Sequence, residues 1–152
     1  MNITLDATVL HQAFDDHHAN ANALVYALVY CLHLHLNLDQ EGHIAAEYRR
    51  VRSTERYQKW LTAMYERDGV RFTSGHLVHA VKDQLLALGF HQESDHVYVA
   101  TALRTDKTLV SEDGDYGIGP SSRAAENFAV ASYLRELGID LRDSSGALEW
   151  LA

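Results

Sequence analysis

Short apolar segments alternate with longer segments of helical periodicity along this chain. Apolar runs at residues 3–5, 70–72, 108–111 and 139–141 predict strands. Residues 32–38 predict another, because leucine alternates there with histidine or asparagine, which is the period of a strand with one covered face. Strands that alternate with helices predict an α/β fold with a largely parallel sheet.

The segments between these strands have the composition and the spacing of helices. Asp39 is expected to cap one of them, and Gly89 is expected to end another. Pro120 is the single proline of the chain and stands where a helix can begin. The predicted helices cover residues 8–14, 19–31, 39–51, 55–67, 74–88, 95–104, 120–137 and 147–151.

Length and composition fit one compact domain that covers residues 1–152. Apolar residues make up 47% of the chain and charged residues 22%, which is ordinary for a globular protein. No segment has the apolar length that a bilayer requires, and the start lacks the pattern of a signal peptide. With Cys31 as the single cysteine, an internal disulfide is excluded. These features predict a cytoplasmic protein without a membrane partner.

The net charge of −8 argues against a simple electrostatic binder of nucleic acid, which would normally be basic. The charge is unevenly distributed, however, because a basic cluster directly follows Glu47. Its members are Arg49, Arg50, Arg52, Arg56 and Lys59. A protein that concentrates acids in one site can present a basic rim beside it. Overall charge therefore does not decide whether the partner is a nucleic acid.

Acidic residues stand where predicted strands end or on helices that lie beside them. Asp6 follows the first strand, and Asp113 and Asp115 follow the fourth. Asp95 is in the first turn of its helix, and Glu47 lies in another helix. Ligands of open α/β sheets bind outside the carboxyl ends of the strands, and carboxylates gathered there bind hard divalent cations. This arrangement predicts a metal site suited to phosphodiester cleavage.

Each of these acids also has a purely structural explanation. Asp6 can cap the helix that follows it, and Asp95 can interact with the dipole of its helix. Asp113 and Asp115 fit a surface turn rich in aspartate and glycine, and a glutamate among arginines, such as Glu47, is commonly a solvated surface residue. Taken one at a time, the acids leave both explanations open.

The order of the acids along the chain resembles the PIN-domain family. An apolar strand that ends in Asp, with Val-Leu three positions on, is similar to the start of such a domain, and residues 5–10 read LDATVL. A glutamate on a helix follows within residues 46–48, AEY. Residues 95–103, DHVYVATAL, and 109–116, LVSEDGDY, resemble the two most specific blocks of the family. The resemblance extends over nearly the whole chain in the same order.

The resemblance implies a three-layer α/β/α sandwich with a short, mostly parallel central sheet. It also implies a ribonuclease that depends on Mg²⁺ or Mn²⁺ and hydrolyses the phosphodiester bonds of RNA. The catalytic acids and metal ligands of the family correspond to Asp6, Glu47, Asp95 and Asp113, and a frequent additional ligand corresponds to Asp115.

Further positions of this chain match supporting residues of the family. Ser111 corresponds to the small hydroxyl residue before the fourth acid and is expected to support the site through hydrogen bonds. The family commonly has Asn where this chain has Thr8, so a hydroxyl replaces an amide beside the first acid. Arg49, Arg50 and Arg52 are candidates for contacts with the RNA backbone.

RNA is the substrate that the resemblance implies, and an antitoxin protein and a second copy of the chain are the further partners. The corresponding roles are a toxin of a toxin–antitoxin pair or an RNA-processing nuclease. The alternative is a non-catalytic PIN-like interaction or metal-binding module. A metal site built on His33 and His35, which share one side of a predicted strand, is a weaker hypothesis, because no cysteine or acid is placed beside them.

Overall fold

Five parallel strands form the sheet at the centre of the fold, which the computed structural model describes for residues 1–151. The strands are β1 (Asn2–Leu5), β2 (His35–Asp39), β3 (Val70–Thr73), β4 (Thr108–Val110) and β5 (Asp140–Arg142). Their spatial order is β3-β2-β1-β4-β5, and every neighbouring pair is parallel. All five predicted strands are confirmed, although β2 begins three residues later than its leucine alternation indicates.

Nine helices within residues 1–151 connect these strands. They are α1 (Ala7–Phe14), α2 (Ala19–Tyr30), α3 (His43–Tyr48), α4 (Thr54–Glu66), α5 (His79–Ala87), α6 (Glu93–Leu103), α7 (Arg123–Glu126), α8 (Phe128–Glu136) and α9 (Ser144–Ala147). Helix α6 lies against β1, β2 and β4, whereas α2 packs on α1 and α4. The predicted three-layer α/β sandwich is therefore confirmed. No helix in this part of the chain has both the length and the apolar character that a membrane crossing requires.

Both faces of the inner strands are buried, as is usual when helices cover a parallel sheet on two sides. Leu36 and Leu38 of β2 are buried on one face. Asn37, which points to the other face, is fully buried as well. Its amide donates hydrogen bonds to Thr4 Oγ1 at 3.0 Å and to Thr105 Oγ1 at 2.8 Å. These bonds satisfy the two N–H groups of the amide, whereas its buried Oδ1 has no hydrogen-bond partner among the described residues.

The order of the strands reverses direction at β1. From β1 the chain adds β2 and β3 on one side and then β4 and β5 on the other. In an open α/β sheet, the point where the order reverses leaves a crevice outside the carboxyl ends of the two strands that flank it. Those strands are β1 and β4 here, so the residues that follow Leu5 and Val110 line the crevice.

Helix α3 is shorter than the predicted helix at residues 39–51. Asp39 caps it as expected, since Asp39 Oδ2 accepts a hydrogen bond from His43 N at 2.9 Å and Oδ1 accepts one from Ile44 N at 2.7 Å. The helix itself starts only after Gly42, whose φ of 86° is in the left-handed region. The aspartate thus reaches across a turn to cap a helix that begins four residues later.

Three further predicted helices have wrong bounds. The helix predicted at residues 147–151 is a 3-10 turn, Leu148–Leu151, that follows α9. Residues 74–78 are not helical, and a Cβ added at Gly75 would lie 2.8 Å from Val97 Cγ1, so this segment runs directly over α6. The helix predicted at residues 120–137 is divided into α7 and α8 at Asn127. The Asn127 side chain competes for backbone carbonyls at this break, because its Nδ2 donates to the Arg123 carbonyl at 3.1 Å.

Candidate metal centre

Three aspartates from two distant segments meet at the carboxyl edge of the sheet. Asp95 lies in the first turn of α6, Asp113 follows β4, and Asp115 lies in a short 3-10 turn, Gly114–Tyr116. One carboxylate oxygen of each aspartate lies within 4.8 Å of those of the other two. Asp95 is buried, while Asp113 and Asp115 are partly exposed. Three of the five predicted acids are therefore gathered at metal-ligand spacing.

The turn that carries Asp115 is organised by Asp113. Asp113 Oδ1 accepts a hydrogen bond from Asp115 N at 2.9 Å, which caps the 3-10 turn. Gly117 ends the turn with φ at +83°, a conformation that side chains other than glycine rarely adopt. The glycine-rich sequence that follows β4 thus folds back on itself and brings the two carboxylates together.

Asp6 lies next to this group without belonging to it. Its backbone N–H donates to the Val110 carbonyl at 2.8 Å, which extends the pairing of β1 with β4. The carboxyl group is 3% exposed, and its Oδ2 accepts hydrogen bonds from Thr8 Oγ1 at 2.6 Å and from Ser111 Oγ at 2.8 Å. One oxygen of Asp6 is therefore fixed by two hydroxyl groups at the base of the crevice.

The same two hydroxyl groups also accept hydrogen bonds from the backbone after β4. Thr8 Oγ1 accepts from Glu112 N at 3.1 Å, and Ser111 Oγ accepts from Asp113 N at 3.0 Å. Each hydroxyl thus connects Asp6 with the segment that carries the other acids. Thr8 and Ser111 occupy the supporting positions that the resemblance implied, and a threonine hydroxyl contacts Asp6 where the family commonly has an amide.

Two of these carboxyl groups bind protons more tightly than an ordinary aspartate. Burial, followed by the nearby charges of Asp6, Asp113 and Asp115, raises the pKa of Asp95 to about 8. Burial also raises the pKa of Asp6 to about 6, even though the hydrogen bonds from Thr8 and Ser111 lower it. Crowded carboxylates in a desolvated crevice favour either a proton or a metal cation as partner.

Aromatic side chains that the sequence did not single out form the wall behind Asp95. The hydroxyl group of Tyr116 donates to Asp95 Oδ1 at 3.4 Å. Phe90 packs edge-on against Tyr116 with ring centroids 5.0 Å apart, and on its other side it stacks on His96 at 5.5 Å. Tyr116 is the last residue of the motif at residues 109–116. Its position directly after Asp113 and Asp115 was the feature of the sequence that could have indicated its contact with the site.

A small cavity opens beside the aspartates. Its volume is about 140 Å³, and Asp95 and Asp115 line it together with Phe90, Gln92 and Asn127. This space exceeds the share of volume of a single water molecule, roughly 30 Å³. An ion with bound water can therefore reach the carboxylates from this side.

Glu47 is not gathered with the three aspartates. It lies on α3, and its Oε1 is 3.6 Å from Arg50 Nη1. Its charge still acts near the crevice. The pKa of Tyr98 is raised well above its usual value by burial first, then by Asp6 and Tyr48, and then by Glu47. A catalytic or metal-binding role for Glu47 stays a prediction.

The predicted basic rim is exposed. Arg50 is paired with Glu47, and Arg52 lies 3.8 Å from an oxygen of Asp15. Arg49 is exposed at the end of α3. Contacts of Arg49, Arg50 and Arg52 with RNA stay predictions.

His33 and His35 do not form a preorganised metal site in the structure. His33 is exposed, and His35 is partly buried. Within residues 1–151, the cluster of Asp95, Asp113 and Asp115 is the only group of three or more potential ligands with metal-binding spacing.

One cation at the centre was missed by the sequence analysis. Arg123 Nη2 lies 2.9 Å from Asp113 Oδ1, and Arg123 Nη1 lies 3.1 Å from Asp115 Oδ1. This arginine follows the acids by a few positions, within a segment rich in glycine and serine. No periodicity places it on the acids, because the contact depends on how the glycine-rich loop folds back.

The chemistry of the three aspartates fits a divalent metal ion. Hard oxygen donors are the preferred ligands of Mg²⁺ and suit Mn²⁺ equally. The spacing would let the three carboxylates hold one ion, and burial together with three neighbouring acids raises the pKa of Asp95, so that a cation bound there would relieve the repulsion. No protein-family model matches this chain, and no curated protein matches it either. Membership of the PIN-domain family therefore stays a prediction that depends on the order of the four motifs.

Proposed function

We propose that this chain is a divalent-metal-dependent ribonuclease of the PIN-domain type. The observation that carries the proposal is the cluster of Asp95, Asp113 and Asp115, whose oxygens lie within 4.8 Å of one another. The cluster lies where the strand order reverses, which is the position at which open α/β sheets bind their ligands. A site of this composition and position suits the binding of a phosphate group through a metal ion.

In this proposal the three clustered aspartates and Asp6 have different roles. Asp95, Asp113 and Asp115 would hold Mg²⁺ or Mn²⁺, and Asp6, held by Thr8 and Ser111, adds negative charge from below. The ion supplies an acidified water molecule and offsets the charge that develops on the phosphate during hydrolysis. Because Asp6 has one oxygen fixed by two hydroxyl groups, its carboxyl orientation is set before any ligand arrives.

The energetic cost of the centre supports a functional site over an acidic cluster without a role. Asp95 is 7% exposed, and in the described structure its neighbours include three further acids. A buried carboxyl group of this kind destabilises the fold whenever it is ionised. Costs of this type are concentrated at functional sites.

RNA is the proposed substrate because of the resemblance of the ordered motifs to those of PIN-domain ribonucleases. Hydrolysis of its phosphodiester bonds would suit a toxin of a toxin–antitoxin pair or an RNA-processing nuclease. The exposed arginines that follow Glu47 are proposed to contact the RNA backbone, since they add positive charge outside the acidic centre.

A cleavage assay with matched variants tests the proposal. Labelled single-stranded RNA is incubated with wild type, Asp95→Asn and Asp68→Asn in Mg²⁺, in Mn²⁺ and in EDTA. Asp68 is an exposed aspartate outside the cluster, and its positive φ of 56° suits asparagine as well. We expect Asp68→Asn to match wild type and Asp95→Asn to lose at least about 100-fold, which is the upper range for supporting residues of metal sites.

Two outcomes would contradict the proposal. Equal cleavage by wild type and Asp95→Asn would place the activity elsewhere or in a contaminant. Undiminished cleavage by the wild type in EDTA would exclude a role for the ion. Titration calorimetry with Mn²⁺ on the same three proteins separates loss of metal binding from loss of the chemical step.

A further inference from the structure

Arg123 contacts two of the three aspartates that would hold a metal ion. Its guanidinium group contacts Asp113 Oδ1 at 2.9 Å and Asp115 Oδ1 at 3.1 Å through two different nitrogens. The two carboxylates belong to the same cluster. The planar fork of arginine suits two carboxylate oxygens at once, so this contact is stronger than a single exposed ion pair.

The fold itself brings Arg123 to the aspartates. A Cβ added at Gly114 would lie 3.0 Å from Arg123 Cβ and 3.2 Å from Ala124 N, so α7 rests directly on the 3-10 turn that carries Asp115. Asn127 strengthens this contact, because its Nδ2 donates to the Gly114 carbonyl at 3.0 Å and to the Arg123 carbonyl at 3.1 Å. The backbone of Arg123 is therefore held beside the centre.

The side chain, in contrast, is free to leave. It is 54% exposed, whereas the side chains of Asp113 and Asp115 are only 20% and 33% exposed. Rotation of the guanidinium group into solvent opens no part of the apolar core. The backbone of Arg123 is thus held in place, while its guanidinium group can move at the rim of the crevice.

A divalent ion and the guanidinium group would bind the same two carboxylates, those of Asp113 and Asp115. A cation held by Asp113 and Asp115 would repel the guanidinium group, whose nitrogens lie 2.9 and 3.1 Å from oxygens of these two carboxylates. The arginine must then release at least one carboxylate. Because the backbone of Arg123 is held in place, the released guanidinium group stays close to the ion. A phosphate of a bound RNA strand is the anionic group that it would contact there.

We propose that Arg123 exchanges partners: it bridges Asp113 and Asp115 in the metal-free protein and binds a phosphate of the RNA strand when the metal ion is present. This inference rests on the proposed function and adds to it a substrate-positioning residue. Arginine binds phosphate with the same bidentate geometry that it uses for carboxylates. Binding of the ion would thus free the guanidinium group of Arg123 to contact a phosphate.

Metal binding is the first test. Calorimetric titration with Mn²⁺ compares wild type with Arg123→Gln, Arg123→Lys and the control Arg71→Gln, whose arginine pairs with exposed Asp68 outside the cluster. We expect Arg123→Gln to bind Mn²⁺ about 3- to 10-fold more tightly, because the competing cation is gone. Arg71→Gln should match wild type. Unchanged or weaker binding by Arg123→Gln would overturn the competition between arginine and ion.

RNA binding is the second test, and a merely structural role would not change it in this way. A fluorescein-labelled 12-nucleotide RNA is titrated by anisotropy in Ca²⁺, after a gel shows that the strand stays intact, and again in EDTA. We expect Arg123→Gln to bind more weakly in Ca²⁺ only, with a salt slope reduced by about 0.7, as for one lost contact with a single strand. Arg123→Lys should recover part of this binding. Equal RNA binding by wild type and Arg123→Gln in Ca²⁺ would overturn the phosphate contact.

Failure of the ribonuclease proposal can be told apart from failure of this inference. A wild type that binds Mn²⁺ but neither binds nor cleaves RNA refutes the ribonuclease and the phosphate contact, while the Mn²⁺ titration still decides the competition. A wild type that cleaves RNA, together with an Arg123→Gln variant indistinguishable from it in both titrations, refutes only the partner exchange.

Discussion

Replacing Asp95 with asparagine should stabilise the metal-free protein even though it removes a proposed metal ligand. Burial and the charges of Asp6, Asp113 and Asp115 raise the pKa of Asp95 from 3.8 to about 8. Between these values the folded protein binds a proton that the unfolded chain does not. The free energy of unfolding therefore falls as the pH rises from about 4 to about 8. Asparagine cannot ionise and removes this loss.

The structure sets the size of the effect. One pKa unit corresponds to about 1.4 kcal/mol, and roughly three units separate the ordinary pKa of Asp95 from neutral pH, so the upper limit at pH 7 is about 4 kcal/mol. The buried amide needs hydrogen-bond partners of its own, and an unsatisfied group costs about 1–3 kcal/mol. The Tyr116 hydroxyl, 3.4 Å from Asp95 Oδ1, is one such partner. We expect a net gain of about 1–3 kcal/mol at pH 7 and none below pH 4.

Urea unfolding in EDTA, followed by circular dichroism at pH 4, 5.5, 7 and 8.5, measures this gain. Asp15→Asn is the control with the opposite sign. Although burial alone would raise the pKa of Asp15, hydrogen bonds from the backbone N–H groups of Ser53 and Arg52 and from His11 lower it to about 2. Asp15 therefore stabilises the fold above pH 4, and this contribution is lost as the pH falls toward 2. Asp15→Asn should be less stable than wild type at pH 7.

The reasoning would be refuted if Asp95→Asn were no more stable than wild type at pH 7 and pH 8.5 in EDTA. Such a result would mean that the ionised carboxyl group is accommodated without cost. Saturating Mn²⁺ adds a second criterion, because an ion at 100 times its dissociation constant stabilises the protein by about 2.7 kcal/mol. The wild type should gain this stability and Asp95→Asn should not, so the lead of Asp95→Asn over wild type should shrink by about 2.7 kcal/mol.

Two further substitutions probe the surroundings of the centre. Thr8→Val removes the 2.6 Å hydrogen bond to Asp6 and should lower RNA cleavage about 10-fold, whereas Thr8→Ser keeps the hydroxyl and should stay close to wild type in the same assay. Gly117→Ala should lower the thermal midpoint by about 4–10 °C, because the new Cβ would meet the Asn127 carbonyl oxygen at 2.4 Å. Gly42→Ala is the matched control, with a similar φ of +86° but nothing within 4 Å of the added Cβ. Equal losses by both glycine variants in calorimetry would contradict a steric role for Gly117.

The strands and the fold class could be predicted from the sequence because they depend on local apolar runs. The short strands at Ile3–Leu5 and Leu109–Val110 follow directly from such runs. Helix boundaries depended on contacts that no local pattern records. Gly75 passes over α6 within reach of Val97, and the helix predicted at residues 120–137 breaks where the Asn127 side chain binds backbone carbonyls.

The site was predictable in part for a related reason. Asp95, Asp113 and Asp115 stand at element ends that the topology brings to one crevice, so their order along the chain was informative. The contact of Arg123 with the aspartates arises from a folded loop, which periodicity does not describe. The pairing of Glu47 with Arg50 reflects a local ion pair on α3 that a motif match does not reveal.

The hydrogen bond between Ser111 and Asp6 joins residues that are 105 positions apart. A chain that is being synthesised therefore carries Asp6 while 105 further residues are added before Ser111 is present. Contacts of such long sequence separation also form late and slowly in folding. The proposed nuclease would thus stay inactive on the translating ribosome until the segment that carries Asp113 and Asp115 had been added. A protein that cleaves RNA would in this way be prevented from acting on the message that encodes it until that segment had been synthesised.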